Sequence, residues 1–287
     1  MFRGALTALV TPFRDGRVDD EALVRLVEAQ IRGGIHGLVP CGTTGESPCL
    51  SYAEHIHVIE VVMRAAAGRV PVLAGAGSNC TREAIELSRA CKELGVAGTL
   101  QITPYYNKPT QEGLVAHFTE IADAVGQPIV LYNVPGRTGV DLQPETLARL
   151  AKHPHIVGVK EATGDMIRAS RVRELCGPDF TLLSGDDFTF LGLLAQGGAG
   201  CVSVVSNVDP AGTVAVYERW RAGQVEEAQA ALARLWELIG WLFCEVNPVP
   251  AKAALAELGL CRAAPRLPLA PFSGPPVRPV LDRMGLV

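Results

Sequence analysis

The chain has 287 residues, 48% of them hydrophobic and 20% charged, which is enough apolar material for a large buried core. No stretch approaches the roughly 18 uninterrupted apolar residues of a membrane helix, and Gly4–Val10 is too short for a signal peptide and is followed by no small-residue cleavage pattern. A formal net charge of −4 leaves no basic surplus for nucleic acid or an anionic membrane, and eight scattered cysteines read as reduced thiols lead to the expectation of a cytoplasmic protein.

Short β-branched or apolar runs alternate with longer amphipathic ones along the chain. The runs predict strands over Gly4–Val10, Gly37–Pro40, Val70–Ala74, Gly98–Ile102, Pro128–Tyr132, Ile156–Lys160, Phe180–Ser184 and Gly200–Val204. Helical spacing falls between them over Asp19–Arg32, Tyr52–Ala67, Arg82–Leu94, Gln111–Val125 and Pro144–Lys152. Eight strand–helix steps predict an α/β fold of the (β/α)8 TIM-barrel type over residues 1–208. An open doubly wound sheet is the alternative, but no G-x-G-x-x-G follows the first strand. Residues 209–287 change character and predict a C-terminal helical extension. Val225–Val246 carries Ala228, Ala231, Leu232, Leu235, Leu238, Ile239 and Leu242 at helical spacing. Arg262–Val287 is rich in proline and arginine and reads as a surface wrap ending in a short helix.

The eight cysteines (41, 49, 80, 91, 176, 201, 244 and 261) form no C-x-x-C pair and read as reduced thiols, with Cys201 and Cys244 in apolar runs that suggest burial. His55 and His57 are two apart, as are His153 and His155, and helix residues at that spacing point to different faces. A metal site is not expected.

In such a barrel the active site forms at the C-terminal ends of the strands. Of the five lysines (92, 108, 152, 160 and 252), only Lys160 closes a strand, and the others fall in helical or loop contexts that suggest solvated ammonium groups. Apolar walls around a strand-end amine disfavour its charged form and free it to attack a ketone. The competing reading pairs Lys160 with a carboxylate such as Glu161. Three of the five tyrosines (105, 106 and 132) lie just after the fourth predicted strand or at the end of the fifth. A phenol held in a hydrogen-bonded chain can relay the protons that imine formation requires; rim packing is the alternative for Tyr105 and Tyr106. After the second strand comes Gly42-Thr43-Thr44-Gly45-Glu46-Ser47, whose glycines allow close backbone approach and whose threonines can hold a carboxylate. No Gly-Lys-Ser/Thr follows, so it is not a phosphate loop. Ser51-x-x-Glu54 just beyond is a capping box, so part of this segment starts a helix.

These motifs, with TPYYNKPTQEGL (103–114), YNVPGRTG (132–139), VGVKEATGD (157–165), SGDD (184–187), GGAGCVSVVSN (197–207) and EVNPVPAKAALAELGL (245–260), resemble the dihydrodipicolinate synthases, also called 4-hydroxy-tetrahydrodipicolinate synthases. The resemblance covers nearly the whole chain and places it among the pyruvate-dependent aldolases. It implies a lyase of lysine and diaminopimelate biosynthesis that joins pyruvate to L-aspartate 4-semialdehyde. Lys160 would carry the Schiff base, with Tyr132, Thr43 and Tyr106 as the proton relay; Tyr106 would reach into a neighbouring subunit. Thr44 would hold the pyruvate carboxylate and Arg137 that of the aldehyde substrate, with Gly185 and Val202 lining the pocket. The resemblance also implies a homotetramer built as a dimer of dimers. The imine is itself the electron sink, so no cofactor is expected.

Some members of this family are inhibited by lysine at a subunit interface. The matching positions are Ser47, Pro48, Tyr52, His55, Asn79, Glu83 and Tyr105, with Tyr52 departing from the histidine of some sensitive members. Asn79 as a helix start and His55 as a solvated helix residue are the plainer readings. Three rivals share the frame: a sister aldolase acting on sialic acid or 2-keto-3-deoxy-gluconate, a sister dehydratase, and a non-catalytic small-molecule sensor. Gly42-Thr43-Thr44 and Arg137 favour the synthase over the sialic acid lyases, and the retained lysine and tyrosines disfavour the sensor. Gly197-Gly198-Ala199-Gly200 lies before the eighth strand rather than after it, which disfavours a phosphate-binding barrel.

Overall fold

The computed structural model describes residues 2–287. They pack as two compact units, one of residues 4–72 with 203–287 and the other of residues 2–3 with 73–202.

The first unit opens with β1 (Gly4–Ala8), a short antiparallel hairpin β2 (Phe13–Arg14) and β3 (Arg17–Val18), α1 (Asp20–Arg32), β4 (Gly37–Val39) and α2 (Tyr52–Ala66). Two sequence signals set its helix starts. Asp19 caps α1 by accepting from the Ala22 N–H, and Ser51 and Glu54 form the expected capping box on α2. The chain returns to this unit with α9 (Pro210–Arg221), α10 (Val225–Leu242), α11 (Val249–Glu257) and α12 (Arg278–Met284). The apolar stripe of α10 buries Ala228, Leu232, Leu235, Leu238, Ile239 and Leu242. Each large side chain so buried contributes about 1.5–3 kcal/mol. Asn207 ties the two stretches together: its Nδ2 donates to Ala8 O at 2.8 Å and its Oδ1 accepts from Val10 N at 3.2 Å.

The second unit holds β5 (Leu73–Gly75), α3 (Thr81–Glu93), β6 (Gly98–Ile102), α4 (Gln111–Val125), β7 (Ile129–Asn133), α5 (Pro135–Thr138), α6 (Pro144–Leu150), β8 (Ile156–Glu161), α7 (Met166–Cys176), β9 (Thr181–Ser184), α8 (Phe190–Ala195) and β10 (Gly200–Ser203). Its strands are buried almost throughout, as parallel strands covered on both faces must be. Leu114, Phe118 and Ile121 of α4 pack with Ile129 and Leu131 of β7 and with Val159 of β8 in one apolar cluster.

Eight strands hydrogen-bond in one sheet in the order β4-β1-β10-β9-β8-β7-β6-β5. Leu38 of β4 also bridges in parallel to Val72, the residue before β5. The fold class is the (β/α)8 barrel, with the C-terminal helices added. All eight predicted strands are present with ends shifted by a few residues, and Gln111–Val125 is a helix over the predicted residues.

A hairpin follows the first strand, and two local expectations, on Cys244 and Lys252, are corrected. Asp15 and Gly16, with φ of 52° and 80°, turn the chain into the β2–β3 hairpin, as an Asp-Gly pair favours. Cys244 is exposed, because α10 ends at Leu242 before reaching it. Lys252 is not solvated: its side chain is fully buried and ion-paired to Glu46. Among the described residues no helix is long and apolar enough to cross a membrane.

Candidate active site

Lys160 is the next-to-last residue of β8, and the strand pairing sets it directly opposite Tyr132 of β7. Both side chains are 6% exposed, and Lys160 Nζ lies 4.1 Å from the centre of the Tyr132 ring. A β-strand sends successive side chains to opposite faces, so Lys160 and Glu161 part company. Glu161 Oε2 accepts from Arg168 Nε at 2.7 Å, and both its oxygens accept from Asn133 Nδ2 at 3.2–3.3 Å. The carboxylate that was the candidate partner of Lys160 is therefore committed elsewhere.

Gly185 follows β9 and passes close to the lysine. A Cβ placed there would stand 2.9 Å from Lys160 Cε and 2.7 Å from the Ala162 Cβ, so the approach requires glycine. Cys201, buried in β10, senses the same surroundings. Desolvation pushes its thiol well above the ordinary range, the Asp187 carboxylate adds to the shift, and the Lys160 charge opposes it. Val202 is buried two residues beyond the start of β10.

Arg137 sits in the one-turn helix α5, exposed, on a segment that is pinned at both ends. Thr138 Oγ1 donates to Val140 O at 3.0 Å and receives a hydrogen bond from Thr103 Oγ1 at 3.3 Å. Asn133 Oδ1 accepts from Leu142 N at 3.0 Å, while Arg168 bonds Asp141 and the Leu142 carbonyl. The Asn133–Asp141–Glu161–Arg168 network thus fixes both the end of β8 and the loop that carries Arg137. Sequence reasoning missed it. Its only signal was a pair of charged or polar residues, Asn133 and Glu161, each immediately following a site residue on a strand.

Tyr106 is 89% exposed, in the left-handed region at φ 70°. Tyr105 next to it is half-buried. Burial raises its pKa, the Glu83 charge raises it further, and a hydrogen bond involving Asn79 opposes both. Asn79 Nδ2 donates to Tyr105 O at 3.2 Å, and Ser78 Oγ donates to Glu83 at 2.8 Å. Asn79, Glu83 and Tyr105 are therefore brought together. Asn79 does not cap α3; Cys80 is the cap residue.

The other predicted residues lie in the first unit. Thr43 is half-buried and Thr44 buried, with Thr44 Oγ1 accepting from Asn247 Nδ2 at 2.9 Å. Ser47 and Pro48 form a single 3-10 turn, Tyr52 is exposed at the first turn of α2, and His55 is buried rather than solvated.

A sequence model of the dihydrodipicolinate synthetase family matches residues 1–276. A protein of Nitratidesulfovibrio vulgaris named 4-hydroxy-tetrahydrodipicolinate synthase is 55% identical over 272 residues, covering 94% of this chain and 93% of that one. The structure is similar to the chloride-inhibited dihydrodipicolinate synthase of Acinetobacter baumannii complexed with pyruvate, with 44% identity, a TM-score of 0.97 and both chains covered in full. It is also similar to the Cyanidioschyzon merolae enzyme with lysine bound, at 42% identity and a TM-score of 0.96, covering 100% of this chain and 99% of that one. With a family match over residues 1–276 and relatives this close over nearly the full length, the chain belongs to the dihydrodipicolinate synthetase family.

Proposed function

We propose that this enzyme condenses pyruvate with L-aspartate 4-semialdehyde to 4-hydroxy-tetrahydrodipicolinate, through a Schiff base on Lys160. The observation that carries the reading is the buried Lys160 amine set against the Tyr132 ring, with Glu161 engaged on the other face of the strand. Family membership supports the same chemistry.

In this reading the Lys160 amine gives up its proton and attacks the pyruvate ketone. The carbinolamine loses water to give an imine, and loss of a methyl proton gives the enamine. The enamine carbon then adds to the aldehyde, and the amino group of the semialdehyde attacks the imine carbon. That attack closes the ring and releases Lys160. Tyr132 is adjacent to the amine and acts as the proton carrier, relayed by Thr43 and by Tyr106 from a neighbouring subunit; the 89% exposure of Tyr106 suits that role. Thr44 holds the pyruvate carboxylate. Arg137 offers the planar fork that fits the aldehyde substrate's carboxylate. Gly185 and Val202 border the lysine's pocket. A subunit-shared tyrosine requires an oligomer, and a dimer of dimers is the expected state.

The test is direct. Protein incubated with pyruvate and L-aspartate 4-semialdehyde yields the cyclic product by mass spectrometry and leaves sialic acid and 2-keto-3-deoxy-gluconate uncleaved. Cleavage of either keto acid without condensation would replace this reading with a sister aldolase.

The same reading extends to regulation by L-lysine through Ser47, Pro48, Tyr52, His55, Asn79, Glu83 and Tyr105. The clustering of Asn79, Glu83 and Tyr105 favours it, since an amide, a carboxylate and a phenol together suit the ammonium and carboxylate of an amino acid. Titration with L-lysine lowers the activity; full activity at high millimolar lysine would remove the regulatory part alone.

A further inference from the structure

The Gly42–Ser47 loop is held from one side by a group of C-terminal residues that the mechanism does not use. Glu46 takes a left-handed backbone at φ 54°, as Cys41 does at φ 55°. Such conformations persist in residues other than glycine only where surrounding contacts over-determine them. Those contacts are visible. Thr11 Oγ1 donates to Gly45 O at 2.7 Å, and Asn247 Nδ2 donates to Thr44 Oγ1 at 2.9 Å. The Glu46 carboxylate accepts from the Arg266 backbone N–H at 2.8 Å and pairs with the Lys252 ammonium, both side chains being fully buried. Lys252 in turn donates to Ala264 O at 3.1 Å and lies 4.1 Å from the centre of the Phe13 ring.

A fully buried ion pair is a poor way to gain stability, because desolvation offsets most of the attraction. Burial indeed lowers the Lys252 pKa, with Glu46 opposing the shift. What such a pair does supply is a fixed geometry. The pair and the Asn247 amide reach the loop at Glu46 and at Thr44, two positions apart. Asn247 donates to the Thr44 oxygen, so the Thr44 hydroxyl proton is left to point elsewhere, as a donor to a carboxylate must.

We infer that Asn247, Lys252 and Glu46 are positioning residues that fix Thr44 as a hydrogen-bond donor to the pyruvate carboxylate, so that the C-terminal extension sets the affinity for the first substrate and not for the second. This rests on the proposed function, through the role of Thr44.

The experiment uses the full-length protein in three forms: wild type, Asn247→Asp, and the double variant Glu46→Gln with Lys252→Met. The double variant removes both buried charges at once, so neither is stranded as it would be in Lys252→Met alone. Asn247→Asp keeps the shape but turns a donor into an acceptor facing Thr44. Each is checked for folding by circular dichroism and melting, then assayed with pyruvate and the aldehyde varied separately. Borohydride trapping at graded pyruvate reads the first binding step by itself. The pyruvate KM and the half-saturation of trapping rise about tenfold in the double variant, in line with loss of a charge-assisted hydrogen bond. They rise further in Asn247→Asp, while the aldehyde KM stays within about twofold. Folded variants with unchanged pyruvate half-saturation, or with both KM values or kcat alone affected, would overturn the inference and leave the Schiff-base reading intact. A wild type that gives no pyruvate adduct would remove that reading and the inference with it.

Discussion

Tyr132 and Lys160 stand opposite one another on neighbouring parallel strands, and the lysine Nζ lies 4.1 Å from the centre of the phenol ring. Strand register, rather than a flexible loop, sets this relationship. If Tyr132 carries protons, its hydroxyl matters while its ring serves as a wall. Tyr132→Phe keeps the ring, so the fold and melting temperature hold, while kcat falls by about 10²–10⁴, the usual range for a general acid–base group. Steady-state kinetics beside a thermal melt separates the two effects.

Gly185→Ala tests the closeness of the chain to the lysine. The new methyl would meet Lys160 Cε at 2.9 Å and the Ala162 Cβ at 2.7 Å, so the lysine stem or the strand end must shift. The rate of pyruvate adduct formation drops at least about tenfold, because a displacement near 1 Å can cost roughly a hundredfold in a positioned reaction. Rapid-quench trapping reads that rate.

Arg137→Lys keeps the charge and loses the planar fork. The aldehyde KM rises about tenfold while the pyruvate KM is little changed. Because Arg137 is exposed on a segment pinned by Thr138 and Arg168, stability is unaffected. Separate titration of the two substrates gives the answer.

His117 makes a prediction about pH and stability. It is 7% exposed on α4, with Nδ1 2.9 Å from Thr81 Oγ1 and no partner at Nε2 among the described residues. Burial lowers its pKa from 6.5 to about 4. The unfolded chain therefore binds a proton that the folded one refuses between those values. Stability is retained above pH 6.5 and is lost as the pH falls toward 4, by roughly 3 kcal/mol at most. His117→Gln flattens that part of the denaturation profile, measured with urea at several pH values.

Much of the fold and the lysine–tyrosine pair was legible in the sequence because β-branched runs ending in a distinctive residue mark strand ends. Ile156–Lys160 and Pro128–Tyr132 carried that signal, and both residues lie where a strand-end reading puts them. The hairpin at Asp15-Gly16 is legible too, because Asp-Gly is a favoured turn pair. The contacts that hold the site were not. Lys252 lies in the alanine-rich stretch that forms α11, and nothing local reveals that a glutamate 206 positions earlier neutralises it in the core. Arg168 likewise carries no local sign that it meets Glu161, which also accepts from Asn133. Long-range ion pairs leave no period in a sequence, whereas strands and helices do.

The central claim is the covalent role of Lys160. Its most direct test is the intact mass of wild type and Lys160→Ala after incubation with pyruvate and borohydride. The account predicts that the wild type gains the mass of one reduced pyruvate per chain, located at Lys160 by peptide mapping, and that the variant gains none. A folded wild type without the adduct, or an adduct that persists in Lys160→Ala, would contradict it.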